Sequence, residues 1–258
     1  MRTFSLASGS SGNSFYIEHE ISKQGVLIDL GISCKKACKL LELKGFNPEN
    51  VKAIFVTHEH SDHTKGIDVF SRKFNVPIFL TKGTAQGTFI CSDENLINFI
   101  KNDEEVKING LNIRAFSKPH DCMDPVSYSI SSDNKTISVI TDIGHASKKV
   151  CESISESNLV YFEANHDVDM LKEGPYPIYL KKRILSDQGH LSNYQSSLCL
   201  LEHSCKKLKT IILSHLSEIN NTPIIALKTA NSLIKERKDL NPEIFISERY
   251  NPSAIFKP

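Results

Sequence analysis

The 258 residues include 40% hydrophobic residues, enough for a sizeable core, and they predict a single domain over 1–258. The 31 basic and 30 acidic side chains give a net charge of +1, which excludes a global attraction to nucleic acid or to anionic membrane. Seven cysteines without a Cys-x-x-Cys pair argue against a disulfide framework or a zinc ribbon, and we interpret them as small buried hydrophobes.

The chain start lacks the pattern of a secretory signal, and no run of about 18 apolar residues is present. We therefore expect a cytoplasmic protein without a membrane span. No repeat or low-complexity tract interrupts the chain.

Strand and helix patterns alternate along the chain. The predicted strands span 3–7, 14–18, 26–31, 51–56, 77–80, 107–116, 126–131, 136–140, 208–213 and 243–247, with a further strand that begins at 159 and runs into polar residues. The predicted helices span 33–44, 62–74 and 223–238. Ser33 is a plausible N-cap for the first of these helices, and Gly45 follows its end.

A turn rich in glycine and serine, 8–13, separates the first two predicted strands. Successive small residues allow backbone N–H groups to point into one concavity that can hold an anion, so Ser10 and Asn13 are candidate substrate contacts. The alternative is a plain hairpin turn.

The segment His58-Glu59-His60-Ser61-Asp62-His63, called the hexapeptide below, follows an apolar run. In extended backbone, residues two apart point to the same side, so His58 and His60 can converge on one metal ion. The chain then turns and directs Asp62 and His63 toward a second ion. Nitrogen and oxygen donors suit zinc first, with manganese or iron possible. The alternative is a solvated turn.

Several later polar residues follow strand patterns. Asp29 ends an apolar strand and is either a buried carboxylate with partners or an exposed turn residue. His120 and His215 each follow a strand, where a single histidine is more often structural. Asp142, in a strand–carboxylate–glycine pattern, can bridge two cations with its two oxygens.

The hexapeptide, followed in order by His120, Asp142 and His215, resembles the metallo-β-lactamase superfamily. The resemblance implies an α+β, four-layer αββα sandwich with two divalent ions per chain. His58, His60 and His120 would bind one ion, Asp62, His63 and His215 the other, and Asp142 would bridge them; Asp29 would hold the ligand loop without binding metal. Asp142 replaces the cysteine of the β-lactam-hydrolysing members, and His60 replaces the glutamate typical of the di-iron oxidoreductases.

Within the superfamily, segments 7–13, 58–63, 163–167, 189–193 and 214–221 resemble the YycJ/WalJ (VicX) family. This implies a 5′ to 3′ DNA exonuclease linked to bacterial DNA repair, with DNA rather than RNA as the expected partner and the oligomeric state open. Asp62 would hold or deprotonate a metal-activated water, and His190, oriented by Glu163, would protonate the leaving oxygen. Asn165 is a further candidate substrate contact.

Lys181, Lys182 and Arg183 form a basic cluster beside two tyrosines. Such a cluster can grip phosphates next to stacking rings, although a charge run is often a solvated face. Because glyoxalase II-like members have a nearly identical ligand set, a thioester or acyl hydrolase is the alternative enzyme. A regulatory protein with structural metal ions is a third hypothesis.

Overall fold

The computed structural model describes residues 1–258, which form two compact units. The first unit comprises 1–117, 122–135 and 248–257, and the second comprises 118–121, 136–247 and Pro258. Helices and strands occur in both units, which confirms the α+β class. No helix combines the length and the apolar character needed to cross a membrane.

The first unit contains a six-stranded mixed sheet in the order β1 to β6 and an antiparallel meander, β7 to β9. The strands of the first unit are β1 (Arg2–Ala7), β2 (Ser14–His19), β3 (Gln24–Ile28), β4 (Val51–Phe55), β5 (Ile78–Leu80), β6 (Ile97–Phe99), β7 (Glu105–Ile108), β8 (Leu111–Ser117) and β9 (Val126–Ser132). Its helices are α1 (Cys34–Leu43), α2 (Ser61–Thr64), α3 (Ile67–Phe74) and α4 (Lys82–Gly87).

Strands β3 and β4 are the parallel centre of this sheet. Val26 to Ile28 and Ala53 to Phe55 are fully buried, because both faces of these strands are covered. This burial explains why both strands appear in the sequence as continuous apolar runs. Asp29 and the hexapeptide follow directly at their carboxyl ends, so the sheet brings these polar residues to one edge.

The second unit contains four parallel strands in the order β10 to β13, with Ile140, Phe162, Leu213 and Ile246 in register. Its strands are β10 (Lys135–Ile140), β11 (Leu159–Glu163), β12 (Thr210–Ser214) and β13 (Glu243–Ile246). Its helices are α5 (Lys148–Glu156), α6 (Val168–Glu173), α7 (Ile178–Ile184), α8 (Asn193–His203) and α9 (Pro223–Ile234). The carboxyl ends of parallel strands meet at one edge, where ligand sites of open α/β sheets form.

Helix α1 has the predicted caps: the Ser33 side chain accepts a hydrogen bond from Lys36 N, and Gly45 follows with φ +80°. The predicted helix 62–74 is wrong, because the structure divides it into α2 and α3 around Gly66. Gly66 N donates to Leu30 O at 2.8 Å, and a Cβ on Gly66 would lie 2.0 Å from Ile32 O. The helix is interrupted where this glycine contacts the neighbouring backbone.

The predicted strand 107–116 is also wrong, because it is a hairpin of β7 and β8. Asn109 and Gly110 form the turn with φ of +49° and +94°, the left-handed pair that a type I′ turn requires. Helices α4 to α8 are absent from the predicted helices, since most of their sequences are short or mostly polar.

The cysteine prediction is correct for three residues and wrong for four. Cys34, Cys91 and Cys199 are buried, whereas Cys38, Cys122, Cys151 and Cys205 are half-buried. All seven are free thiols, in agreement with the predicted lack of a disulfide framework.

Candidate metal centre

The hexapeptide leaves β4 as extended backbone and enters α2, with His60 as the N-cap residue. His58 Nε2 and His60 Nδ1 lie 3.2 Å apart, and the ring centroids of His58 and His63 are 4.0 Å apart. His58 and His63 are fully buried. The turn into α2 therefore brings three imidazoles close together, with His58 and His63 buried and His60 half-buried.

Asp29 and Thr57 hold two of these rings. Asp29 Oδ2 lies 2.7 Å from His63 Nδ1, and the Thr57 hydroxyl donates to the same carboxylate oxygen at 2.8 Å. The Thr57 backbone N–H donates to Asp29 Oδ1, and its hydroxyl lies 2.8 Å from His58 Nδ1. Because these contacts occupy the Nδ1 sides, the Nε2 atoms of both rings are directed away from Asp29, as in histidines that bind metal through Nε2.

Asn13 connects the glycine-rich turn to the hexapeptide. Its side-chain oxygen accepts from Gly9 N at 2.8 Å, and its Nδ2 lies 3.3 Å from Asp62 Oδ2 and 3.1 Å from His63 Nε2. The side chain is fully buried, which favours a role in holding Asp62 and His63 over direct contact with substrate. Gly31 allows the close approach, since a Cβ there would lie 1.6 Å from Asp62 O.

Two further residues of the first unit were not found from the sequence. Cys122 Sγ lies 3.5 Å from His60 Nε2, so a thiol does approach the hexapeptide. Arg249 donates to Ser10 Oγ at 3.2 Å and adds a positive charge to the glycine-rich turn. Both are distant in sequence from their partners, and no local pattern marks them.

In the second unit, Asp142, Glu163, His190 and His215 place their donor atoms within 4.8 Å of one another. Asp142 follows β10, Glu163 ends β11 and His215 follows β12, so three parallel strands deliver them to one edge. Asp142 and His215 have φ of +58° and +56°, a left-handed conformation that non-glycine residues rarely adopt. Such backbone strain is concentrated at functional sites.

Glu163 is fully buried and accepts four hydrogen bonds. Its Oε1 lies 2.8 Å from His190 Nδ1 and 3.0 Å from His215 Nδ1, and its Oε2 accepts from the backbone N–H groups of Ile143 and Leu191. Burial alone would raise the pKa of Glu163, but the imidazoles of His190 and His215 outweigh it and lower the pKa to about 2. The carboxylate is therefore ionised at neutral pH.

His120 is almost fully buried, and its Nδ1 lies 3.2 Å from Gly189 O. Burial lowers the pKa of His120 to about 3, so the ring is neutral near pH 7 and Nδ1 carries the donated proton. Nε2 is then the basic nitrogen that can bind a metal.

Asn165 is buried, and its Nδ2 donates to His215 O at 3.1 Å, so it holds His215. Its neighbour His166 is fully buried, and burial lowers the pKa of His166 to about 4. No local pattern marks His166 as part of the core, because Asn165 and Asp167 flank it.

The basic cluster lies in the last turn of α7. Arg183 Nε is ion-paired with Asp121 Oδ2, and Lys181 Nζ donates to Lys172 O at 2.5 Å. Lys182 is exposed, and the side chain of Tyr179 on the same helix is 75% exposed. Of the three predicted phosphate contacts, Lys182 is thus the best placed to bind an external anion.

The donors in both units fit divalent metal ions. They are imidazole nitrogens and carboxylate oxygens, and His58, His63 and His120 already have Nδ1 in contact with a hydroxyl, carboxylate or carbonyl oxygen. This combination of buried rings and outer hydrogen bonds is typical of histidines that bind zinc and similar ions.

Known proteins are similar to this chain in sequence and in fold. Residues 7–91 match the metallo-beta-lactamase superfamily. The chain is 35% identical to exodeoxyribonuclease YycJ of Bacillus anthracis over 240 residues, which are 90% of this chain and 88% of the relative. It is 37% identical to exodeoxyribonuclease WalJ of Streptococcus pneumoniae over 232 residues, which are 87% and 84% of the two chains.

The crystal structure of the metallo-beta-lactamase fold protein YhfI from Bacillus subtilis aligns with a TM-score of 0.72 at 12% identity. The alignment covers 99% of this chain and 98% of YhfI, which confirms the predicted metallo-β-lactamase fold. Together with the relatives at 35% and 37% identity, these findings show that the chain belongs to the YycJ/WalJ family and is a hydrolase of the metallo-β-lactamase superfamily.

Proposed function

We propose that the protein is a metal-dependent exodeoxyribonuclease that hydrolyses phosphodiester bonds in DNA. The names of the YycJ and WalJ relatives support the substrate. The observation that carries the reaction type is the contact between His190 and the buried, ionised Glu163, because this pair is built to supply a proton beside metal-ligand candidates.

The ligand assignment follows the resemblance to the superfamily. One ion would be held by His58, His60 and His120. The second ion would be held by Asp62, His63 and His215, and Asp142 would bind both ions. Zinc or manganese fits these nitrogen and oxygen donors, and iron is possible. When bound, two such ions would lower the pKa of a water molecule and would polarise the phosphoryl oxygen.

The residues of the chain perform the proton transfers. Asp62 is held by Asn13, which fixes the carboxylate that orients the attacking water. His190 Nδ1 donates to Glu163, so this carboxylate fixes the orientation of the imidazole that acts as the general acid. The other ring nitrogen, Nε2, would transfer a proton to the leaving oxygen when the phosphorus–oxygen bond breaks.

Phosphate binding is divided between two surfaces in this proposal. Ser10 and Arg249 provide a hydroxyl and a guanidinium at the glycine-rich turn. Lys182 provides an exposed ammonium beside Tyr179, with Lys181 and Arg183 contributing less because of their protein partners. Asn13 and Asn165 hold ligand residues. From the family resemblance, we propose that the enzyme digests DNA in the 5′ to 3′ direction and acts in DNA repair in the cytoplasm.

Digestion of defined substrates tests the proposal. The full-length protein, with manganese or zinc, would be incubated with 5′-phosphorylated duplex DNA, single-stranded DNA and matched RNA, and released nucleotides would be measured against a His60→Ala control. We expect metal-dependent release of mononucleotides from DNA that the control lacks. Cleavage of RNA alone would exclude DNA as the substrate, and thioester hydrolysis without nucleic-acid cleavage would establish the glyoxalase II-type alternative.

A further inference from the structure

A second group of metal-binding side chains lies in the second unit and shares no residue with the candidate centre described above. Cys151 lies in α5, and Cys199 and His203 lie in α8, which packs against α5. Cys199 and His203 are four residues apart, so their side chains occupy the same face of α8. The two sulfurs and one imidazole nitrogen lie within 4.8 Å of one another.

The environment of the two thiols argues against redox or nucleophilic chemistry. Burial raises the pKa of the Cys199 thiol and, to a smaller extent, that of Cys151, and the two thiols are hydrogen-bonded to each other. Reactive cysteines have lowered pKa values, because the thiolate is the attacking species. A bound cation, in contrast, deprotonates a coordinating thiol outright.

We propose that Cys151, Cys199 and His203 bind one thiophilic divalent cation, with zinc as the best match. Two thiolates and one imidazole are three of the four ligands of a tetrahedral zinc site, and a water molecule completes it. Zinc–sulfur bonds of about 2.3 Å place two sulfurs about 3.8 Å apart in a tetrahedron, and the donor atoms here lie within 4.8 Å of one another, which is close to that spacing. Binding releases one proton from each thiol.

Access and position agree with this assignment. Cys199 is 4% exposed, whereas Cys151 and His203 are half-buried, so a cation can enter from the solvent side and reach the buried sulfur last. The site would join α5, which connects β10 to β11, with α8, which precedes β12. Its consequence is therefore stability of the second unit, because a metal bound only by the folded state raises the free energy of unfolding.

Cobalt(II) distinguishes this site from the imidazole and carboxylate ligands of the candidate catalytic centre, because thiolate ligands give a charge-transfer absorption that those ligands do not. The full-length, reduced, metal-free protein would be titrated with cobalt(II). We expect a thiolate band that is lost in Cys151→Ser and in Cys199→Ser, and weakened and shifted in His203→Ala. Cys205→Ser, a half-buried cysteine just after α8, is the matched control and should keep the band.

Cys122→Ser is the second control, since Cys122 lies beside His60. A band that disappears only in Cys122→Ser, or no thiolate band in the wild type, would overturn the proposal. The Cys151→Ser variant should fold like the wild type, because Cys151 is half-buried and serine is nearly isosteric with cysteine. Loss of the band in this variant can therefore be attributed to loss of the ligand. Elemental analysis after zinc loading should show one equivalent less in Cys151→Ser than in Cys205→Ser, and equal zinc content would also overturn the site.

Discussion

His190 Nδ1 lies 2.8 Å from Glu163 Oε1, and this buried carboxylate is shared with His215, whose Nδ1 lies 3.0 Å from the same oxygen. One anion thus orients both the proposed proton donor and a proposed metal ligand. The two backbone N–H groups that donate to Oε2 fix the carboxylate itself. The roles of His190 and Glu163 can therefore be separated by measuring turnover and metal content together.

His190→Ala should lower kcat by about 10²- to 10⁴-fold, the usual contribution of a positioned general acid, and leave metal content unchanged. Release of nucleotides under single-turnover conditions, with elemental analysis of the same sample, measures both quantities. Retained turnover would remove His190 from the mechanism.

Glu163→Gln should lower both turnover and metal affinity, because the neutral amide loses its charge interaction with His190 and with His215. Glu163 is a positioning residue in this mechanism, so the loss of metal affinity is the signature that His190→Ala lacks. The prediction is wrong if Glu163→Gln binds metal like the wild type, as judged by competition with a chelator.

Asp29→Asn should weaken metal binding by about 10- to 100-fold, the typical effect of removing a carboxylate that supports a metal-bound histidine. Asn tolerates the positive φ of Asp29, so the change removes the charge facing His63 with little backbone cost. The matched control is Asp68→Asn, which removes a carboxylate paired with Arg72 on α3. Equal chelator resistance in the two variants would show that Asp29 does not support the metal site.

The closeness of the three hexapeptide histidines could be predicted from the sequence, because spacing within extended backbone and a turn is local. The later ligand candidates came from the resemblance to the superfamily and not from spacing. The burial of β3 and β4 was also predictable, since parallel strands with two covered faces are continuously apolar. Thr57, Cys122 and Arg249 could not be found in this way. Thr57 contacts Asp29, Cys122 contacts His60 and Arg249 contacts Ser10, and each of these pairs is distant in the sequence.

Backbone conformation set a second limit on prediction. Asp29, Asp142 and His215 all adopt positive φ at the ends of strands, and nothing in their side chains requires it. The break at Gly66 depends on contact with the backbone of Leu30 and Ile32. The hairpin turn at Asn109–Gly110 could have been found from the sequence, because this dipeptide is a strong local signal for a type I′ turn. The predicted continuous strand 107–116 overlooked that signal.

Lys182→Ala should weaken DNA binding similarly for all sequences and reduce the slope of log K against log salt concentration by about one, as expected for the loss of a single phosphate contact. Lys148→Ala is the control, because Lys148 is 89% exposed on another helix of the same unit. Binding would be measured with a metal-free protein at several salt concentrations. Identical slopes for Lys182→Ala and the wild type would make the α7 cluster a solvated face.

Tyr128→Phe should lower the free energy of unfolding by about 1 kcal/mol near pH 8, because it removes the buried hydrogen bond from the Tyr128 hydroxyl to Val56 O. It should also change the response to alkaline pH. Burial, with a smaller effect of Asp29, raises the pKa of Tyr128 well above its ordinary value of 10.0. The folded state therefore holds the phenolic proton more tightly than the unfolded state.

The contribution of Tyr128 is fully present below pH 10 and is lost as pH rises above it, because the unfolded state then loses its proton first. Denaturant unfolding at a series of pH values should thus show a steeper alkaline decline for the wild type than for Tyr128→Phe. Burial also raises the pKa of Tyr16, so Tyr16 should cause part of the alkaline decline in stability in both proteins. Tyr179→Phe, which changes an exposed tyrosine, is the control, and its stability should depend on pH as in the wild type. Parallel curves of stability against pH for Tyr128→Phe and the wild type would contradict the proposed role of Tyr128 in the alkaline decline.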